Sequence, residues 1–325
     1  MSMLHVQHRF SFRCGGETET LAGKQTEEGM QLQICDYEGS AYRTDFWEGQ
    51  GREYEDLAER IALRKLLSPD GDLLMEIGAG FGRLADLYDS YKKVVLLDYS
   101  KSMLRQAQER LGREARYIYV AANLYSLPFV DNLFSTTVTV RVLHHVQDVP
   151  AAFCEIRRVL IPTGHYILEY ANKRHLKAVL RYVLRRQQWN PFALEPVEFV
   201  RLNYDFHPVW MKARLQETGF AIEKQLTVSH FRHPLVKRLV PPGLLAAVDS
   251  SLQWTASLWK LSPSVFVRAR AEKGYPPAKP QGFFRCPACH RFPLVEIEQT
   301  LACPDCSRKW PIDDGIYDFK GNQGI

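Results

Sequence analysis

The sequence predicts an α/β fold, a doubly wound, seven-stranded, mostly parallel sheet, followed by a small cysteine-rich module at the C-terminal end. Three observations carry this expectation. Short apolar strands alternate with helical segments from about residue 51 onward. A glycine-rich turn, Gly78-Ala79-Gly80-Phe81-Gly82, follows the first of those strands. Two Cys-x-x-Cys pairs, Cys286/Cys289 and Cys303/Cys306, stand together in the last 40 residues. Strands spaced by helices, with β-branched interiors, bury both faces of a parallel sheet.

In chain order, residues 1 to 50 read as a weakly patterned extension or cover, in which Gln31-Leu32-Gln33-Ile34-Cys35 alternates like a small hairpin. Residues 51–67 have a helical period, with Tyr54, Leu57, Ile61, Arg64 and Leu67 on one face. Ser68-Pro69-Asp70-Gly71 ends that helix. The seven strands are expected at Leu73–Ile77, Val94–Leu97, Ile118–Ala121, Phe134–Val140, His165–Glu169, Ala221–Ser229 and Ser264–Ala269, with helices at Arg83–Ser90, Ser100–Leu111, Pro150–Leu160 and Val209–Glu217. The main domain spans 51–272. Within it, residues 171–235 break the alternation and read as an inserted segment over the mouth of the sheet. Residues 273–282, with Pro276, Pro277 and Pro280, form a stiff linker to a module at 283–325.

The chain has 325 residues and 46% hydrophobic content, enough for one large core and a satellite unit. A net charge of +5 permits an anionic partner without requiring one. No apolar run is long enough to span a bilayer, and the start lacks a basic region followed by an apolar stretch, so a cytoplasmic location is the default expectation. One block stands out: Lys173, Arg174, Lys177, Arg181, Arg185 and Arg186, with no acid among them.

The glycine turn is a cofactor loop by its physics. Glycines let the backbone pack against a ligand, and the N–H groups beyond them remain available to it. Asp98 ends the next strand, where a carboxylate can accept from both hydroxyls of a ribose. Asn123 ends the third strand, where an amide can meet an adenine edge. A nicotinamide enzyme would also place a glycine loop and a ribose acid here. Asp98 and Asn123 also have plain readings, as a strand end and a turn residue.

From Leu73 to about Ala171 the chain resembles the class I S-adenosylmethionine-dependent methyltransferases of the ubiquinone-biosynthesis type. The resemblance runs through LLMEIGAGFGRL, VVLLDYSKSMLRQAQER and the long stretch from Asn123 through Leu143-His144-His145 to Leu168. It implies a cofactor site made by Glu76, Gly78, Ala79, Gly80, Gly82, Asp98, Tyr99, Met103, Asn123, Leu124 and Val142, with Phe129 also lining it. Asn123 departs from the aspartate usual beside the adenine amino group. It keeps a carbonyl acceptor and loses the charge. The helix ahead of the first strand resembles the family's N-terminal cover. Arg52 there is a candidate to pair with the methionine carboxylate, near Tyr42, Trp47 and Tyr54.

Methyl transfer from a sulfonium needs alignment above all, and a base only where the acceptor must lose a proton. His145, and after it His144, are the candidate bases because they follow the fourth strand, at the substrate end of an open sheet. Glu169, Tyr170, Asn172, Tyr204 and His207 are weaker candidates for acceptor contact. Arg141-Val142-Leu143-His144 stands where amine-methylating relatives carry Asn-Pro-Pro-Tyr, which favours an oxygen, carbon or carboxylate acceptor.

Four cysteines in two knuckles give a closed tetrahedral thiolate set, the signature of a structural Zn²⁺ ion held by Cys286, Cys289, Cys303 and Cys306. The segment from Leu301 to Phe319 resembles the zinc ribbon that binds and activates several RNA and protein methyltransferases, one of which is a tRNA wobble-uridine carboxyl methyltransferase. The resemblance implies a ribbon fused and packed in cis. Three pictures follow for the partner. The acceptor is a small or lipid-like molecule, with His175 to Gln188 as a basic amphipathic helix able to lie on an anionic membrane. Or it is RNA, held by ribbon and basic block together. Or the chain is a binding protein that retains a cofactor fold.

Overall fold

The computed structural model describes residues 33–257, 259–274 and 282–320. Part of the expected hairpin at 31–35, most of the linker and residues 321–325 lie outside the described residues. The elements are α1 (Glu53–Leu66), β1 (Gly71–Ile77), β2 (Tyr91–Asp98), α2 (Lys101–Leu111), β3 (Tyr117–Ala121), β4 (Phe134–Thr139), α3 (Val149–Val159) and β5 (Leu160–Ala171). Then come α4 (Leu176–Val183), β6 (Val197–Val200), β7 (Asn203–Asp205), α5 (Pro208–Glu217), β8 (Phe220–Val228), α6 (Pro234–Leu239), α7 (Pro242–Leu252) and β9 (Ser264–Ala271). The cysteine module supplies β10 (Val295–Ile297), β11 (Thr300–Ala302), β12 (Lys309–Asp313) and β13 (Ile316–Asp318).

Seven strands make the main sheet in the order β3-β2-β1-β4-β5-β9-β8. The first five are parallel, and β9 runs antiparallel between β5 and β8. Side chains alternate faces along each strand. Met75, Ile77, Val95, Leu97 and Val120 join one core with Phe153 and Ile156 of α3 and Met211 and Leu215 of α5. Leu74, Val94, Leu96, Tyr119 and Ala121 join the other with Tyr54 and Leu63 of α1, Leu104 of α2 and Leu245 of α7.

The cysteine module packs in cis, as the resemblance implies, and it does so by strand addition: β13 pairs in parallel with β3, Ile316 opposite Tyr119 and Asp318 opposite Ala121, so the sheet runs on through the ribbon. Three expectations are corrected. The helix expected at Arg83–Ser90 is a short 3₁₀ turn, Ala85–Tyr88. Bonds from Gly82 N–H to Ala79 O and from Leu87 N–H to Leu84 O replace an α-helical ladder there. Helix α1 buries Tyr54, Glu55, Ala58, Glu59, Ala62, Leu63 and Leu66, while Leu57 is exposed. Its inner face is therefore turned from the expected one, and it accepts two glutamates. The basic helix runs only over Leu176–Val183, with His175 as its cap, and Arg185 at φ 55° lies beyond its end. In the inserted segment, α5 packs into the core beside α3, while the β6–β7 hairpin stands over the strand ends near His145.

Candidate active site and metal centre

The glycine turn is fastened to the sheet by its own backbone. Gly78 and Ala79 N–H both donate to Leu97 O, at 2.8 and 3.0 Å. Gly78 has φ +71°, and a Cβ built on it would lie 2.3 Å from Val142 Cγ2, so only hydrogen fits. Gly82 faces away from the cleft, where a Cβ would strike Leu111 of α2 at 2.8 Å. It packs the loop against α2 and does not line the cleft.

Above this turn opens a cleft lined by the turn, Asp98, Asn123 and His145. Of the expected cofactor residues, Glu76, Gly78, Ala79, Gly80, Asp98, Tyr99, Met103, Asn123, Leu124 and Val142 line it. Asp98 Oδ2 accepts from Gly80 N–H and Oδ1 from Ser100 N–H, each at 2.8 Å. Burial raises its pKa, and those N–H groups oppose the rise. Each carboxylate oxygen still has a lone pair to offer, as a ribose diol requires. Burial pushes Glu76, on the cleft floor, up to about 8. Its Oε2 makes no hydrogen bond of normal geometry, although the buried Tyr88 hydroxyl lies beside it. An under-satisfied buried carboxyl suits the cationic methionine end of S-adenosylmethionine. Asn123 Oδ1 accepts from Tyr125 N–H at 2.9 Å, which leaves the NH₂ group as the more available donor toward a ligand. The carbonyl anticipated for the adenine amine is thus partly spent on its own turn.

Several anticipated residues fall elsewhere. Arg52 does not line the cleft; its guanidinium lies 3.5 Å from the centre of the Phe46 ring. Phe129 is fully buried and stacks on Phe284 of the ribbon, 5.7 Å between centroids. His144 is also off the cleft, and burial together with His145 and Arg141 holds its pKa down at about 3. The weaker acceptor candidates serve the frame. Glu169 accepts from Arg141 N–H at 3.0 Å and binds the Ser264 hydroxyl. Asn172 donates to Lys260 O and Ser262 O, His207 caps α5, and Tyr170 is buried. Tyr204 packs near Phe206.

His145 does reach the cleft, and its partners define its proton. Leu202 O, 2.7 Å away, can only accept, so Nδ1 carries the hydrogen. Nε2 is then the basic nitrogen and accepts from the Tyr37 hydroxyl at 2.9 Å. Burial lowers the imidazole pKa, which keeps the ring neutral. Tyr37 also lines the cleft, and no pattern in its surroundings marked it.

The sequence also left unmarked a pair of arginines. Arg83 and Arg141 line the cleft and share the buried Glu59, at 2.9 and 2.5 Å. The Trp47 ring carries both guanidiniums, 4.0 and 4.8 Å from its centre. These residues place positive charge where Arg52 was expected to. Glu59, a glutamate on the apolar stripe of α1, was the available signal.

In the ribbon, the four Sγ atoms all lie within 4.8 Å of one another, with Cys286–Cys306 at 3.6 Å and Cys289–Cys303 at 3.4 Å. Zn–S bonds of about 2.3 Å in a tetrahedron set sulfurs about 3.8 Å apart, and the Cys286–Cys306 and Cys289–Cys303 pairs stand near that spacing, so the set can hold Zn²⁺. The two knuckles repeat one geometry. His290 N–H returns to Cys286 O and Ser307 N–H to Cys303 O, with φ 62° and 58° at those residues. All four ligands come from protein, which leaves no open position for catalysis.

The ribbon is sewn to the cofactor side of the sheet. Phe319 N–H donates to Ala121 O at 2.7 Å, Val130 N–H to Phe283 O at 3.1 Å, and the Ser126 hydroxyl to Pro287 O at 3.0 Å. Asp313, Asp314 and Asp318 meet Arg105, Arg113 and Lys101 of the main domain.

Comparison with known proteins agrees with this geometry. Residues 75–168 match the family described as methyltransferase domain, and residues 283–315 match the Trm112p-like protein family. An uncharacterized protein of Methanocaldococcus jannaschii is 30% identical over 188 residues, 58% of this chain and 71% of that one. Malonyl-[acyl-carrier protein] O-methyltransferase of Geobacter sulfurreducens is 34% identical over 95 residues, 28% of this chain and 35% of the enzyme. 2-Phytyl-1,4-naphtoquinone methyltransferase of Trichormus variabilis is 32% identical over 125 residues, 36% and 52% of the two chains. The chain thus spans between a third and a half of those two enzymes. A chain from a Haloferax volcanii complex that contains the Trm112 methyltransferase activator superposes with a TM-score of 0.52 at 15% identity, over 72% of this chain and 97% of that one, and shares the fold.

Proposed function

The chain belongs to the class I S-adenosylmethionine-dependent methyltransferases and carries a Trm112p-like ribbon, and from that premise we propose that it methylates a small or lipid-like acceptor at oxygen, carbon or a carboxylate. The observation that carries this reading is the cleft in which Gly78, Gly80 and Asp98 meet His145 and Tyr37. S-adenosylmethionine, when bound, supplies a methyl group already activated on sulfur. Asp98 and Gly80 hold the nucleoside end, and Arg83 and Arg141 hold the carboxylate end. The ribbon cysteines hold Zn²⁺ for structure alone.

Deprotonation, where the acceptor needs it, falls to the Tyr37–His145 pair. An acceptor hydroxyl gives its proton to the Tyr37 oxygen as Tyr37 passes its own to His145 Nε2. The Leu202 carbonyl faces the Nδ1–H of the resulting imidazolium. A carbon acid or a preformed carboxylate needs less of this. A relative whose name prints a phytyl naphthoquinone supports an acceptor with an apolar portion, and one whose name prints the O-methylation of a malonyl group supports an oxygen acceptor.

An RNA acceptor is the second reading, favoured by the Trm112p-like ribbon. A transfer screen with methyl-labelled cofactor against RNA, lipid and metabolite fractions separates the readings. Label in the lipid or metabolite fraction is expected, and label confined to RNA overturns the acceptor class. Calorimetry that finds tight NAD binding and no S-adenosylmethionine binding overturns the cofactor.

A further inference from the structure

Large apolar side chains are exposed together on one part of the surface. Helix α4 presents Leu176, Leu180, Val183 and, just past its end, Leu184; these recur at helical spacing, and all four are exposed. Helix α6 presents Leu235 and Leu239, the latter 80% exposed, and α7 presents Leu244 and Val248. Trp259 is 68% exposed.

These elements adjoin. Leu176 N–H donates to Leu261 O at 2.8 Å, which sets the Trp259 loop against the start of α4. The Arg232 charge acts on His175, the cap of α4, and Arg232 lies two residues before α6. Only Val240 and Pro241 separate α6 from α7. Beside the patch is a recess of about 700 Å³ whose lining includes Tyr54, Arg232, Lys237, Arg238 and Leu245, with Glu53 as its one acid.

The charge of this surface is almost all positive, with Glu53 the one acid of the recess. Residues 171–194 and 228–248 contain no aspartate or glutamate. Lys173 is turned inward to Glu195 O, and Lys237 pairs with Glu55. The side chains of Arg174, Lys177, Arg181, Arg185, Arg186 and Arg238 form no salt bridge among the described residues, while the Arg232 charge is balanced in part by Glu59, Glu169 and Glu55. Aliphatic side chains interleaved with unpaired cations and a tryptophan match the boundary of an anionic bilayer, where acyl chains meet phosphates. Leucine and valine give little to an RNA backbone, which asks for cations and stacking rings. A second copy of this surface would set like charges against each other.

We propose that this surface, formed by α4, α6, α7 and the Trp259 loop, docks the enzyme on an anionic lipid bilayer. Docking would bring the open ends of the strands to the source of an acceptor with an apolar tail. The inference deepens the lipid-like reading of the acceptor, yet its test needs neither cofactor nor turnover, so the two fail separately.

The test is flotation of the full zinc-loaded chain with vesicles of phosphatidylcholine alone or with about a third phosphatidylglycerol. The wild type is expected to partition at least about tenfold more strongly to the anionic vesicles, less so in high salt. Leu180→Asp/Leu239→Asp is expected to lose about tenfold or more of that binding. It should do so at unchanged melting temperature and S-adenosylmethionine affinity, because both side chains are exposed. Arg181→Glu/Arg185→Glu should remove the preference for the anionic lipid. Wild type that fails to float, or a Leu180→Asp/Leu239→Asp chain that floats equally, overturns the proposal. So does a wild-type dimer that this double substitution dissociates, or tRNA that displaces the chain from vesicles and binds the double variant as tightly.

Discussion

Replacing Gly78 by alanine would set a methyl group 2.3 Å from Val142 Cγ2, where carbon atoms prefer about 3.5–4 Å. The residue also holds φ +71°, a left-handed conformation that costs a non-glycine residue roughly 1–2 kcal/mol. Relieving the overlap by moving Val142 or the loop costs about 1–3 kcal/mol more. Against this, alanine restricts the unfolded chain and returns about 0.4–1 kcal/mol. The net loss is about 1–5 kcal/mol. Because Val142 lines the cleft, part of that loss should appear as weaker cofactor binding, at a factor of ten for each ~1.4 kcal/mol. Thermal melts and calorimetric titration with S-adenosylmethionine on Gly78→Ala, Val142→Ala and the double variant separate the two costs. The double variant should recover the steric part and keep the dihedral part. If it is no better than Gly78→Ala alone, the clash with Val142 is not what restricts this position to glycine.

Asp98→Ala should weaken S-adenosylmethionine at least about tenfold and lower the melting temperature, since it strips the acceptor from the Gly80 and Ser100 N–H groups. Unchanged affinity by calorimetry would mean that the ribose lies elsewhere. Glu76, raised to about 8 in the folded chain, stays protonated after the unfolded chain has ionised, so it costs stability as pH rises from its ordinary carboxylate range toward 8. Glu76→Gln should therefore stabilise the ligand-free protein at pH 7 by up to the order of 3 kcal/mol, and wild type should release a proton to buffer when the cationic cofactor binds. Equal binding heats in buffers of different ionisation enthalpy would refute the latter. Stripping zinc should unfold the ribbon, detach β13 from β3 and weaken cofactor binding, with recovery on adding zinc back. Full affinity in a chain shown by metal analysis to be zinc-free would break that link.

The parts of the fold legible in the sequence are those set by local rules. The alternation of strands and helices shows in apolar runs such as Leu73–Ile77 and Val94–Leu97, and the glycine turn shows because its backbone excludes side chains. The inner face of α1 differs from the expected one because it carries Glu55 and Glu59, which a search for an apolar period passes over. Partners far along the chain, Lys237 for the first and Arg83 and Arg141 for the second, make their burial tolerable. Tyr37 escaped for the same reason: its partner His145 lies 108 residues away, and the segment around it has no period. The pairing of β13 with β3 could not be read from a three-residue strand, since a period of two needs more length to show.

That pairing gives the ribbon a mechanical task. Without it β3 would be the exposed edge of the sheet, and an unpaired edge next to a ligand site frays or recruits other strands. β3 runs directly into Ala122, Asn123, Leu124 and Tyr125, which line the cleft. β13 closes the edge, Ser126 is held by Pro287 O, and Phe129 is clasped by Phe283 and Phe284. Phe284 lies two residues before the first cysteine ligand, and β13 follows the last one by ten residues. A metal held by the four cysteines would therefore close the loop of chain that braces the Asn123 side of the cleft from both ends. Phe129, which the sequence suggested for the cofactor, instead fixes the loop that bears Asn123 by anchoring it to the zinc module.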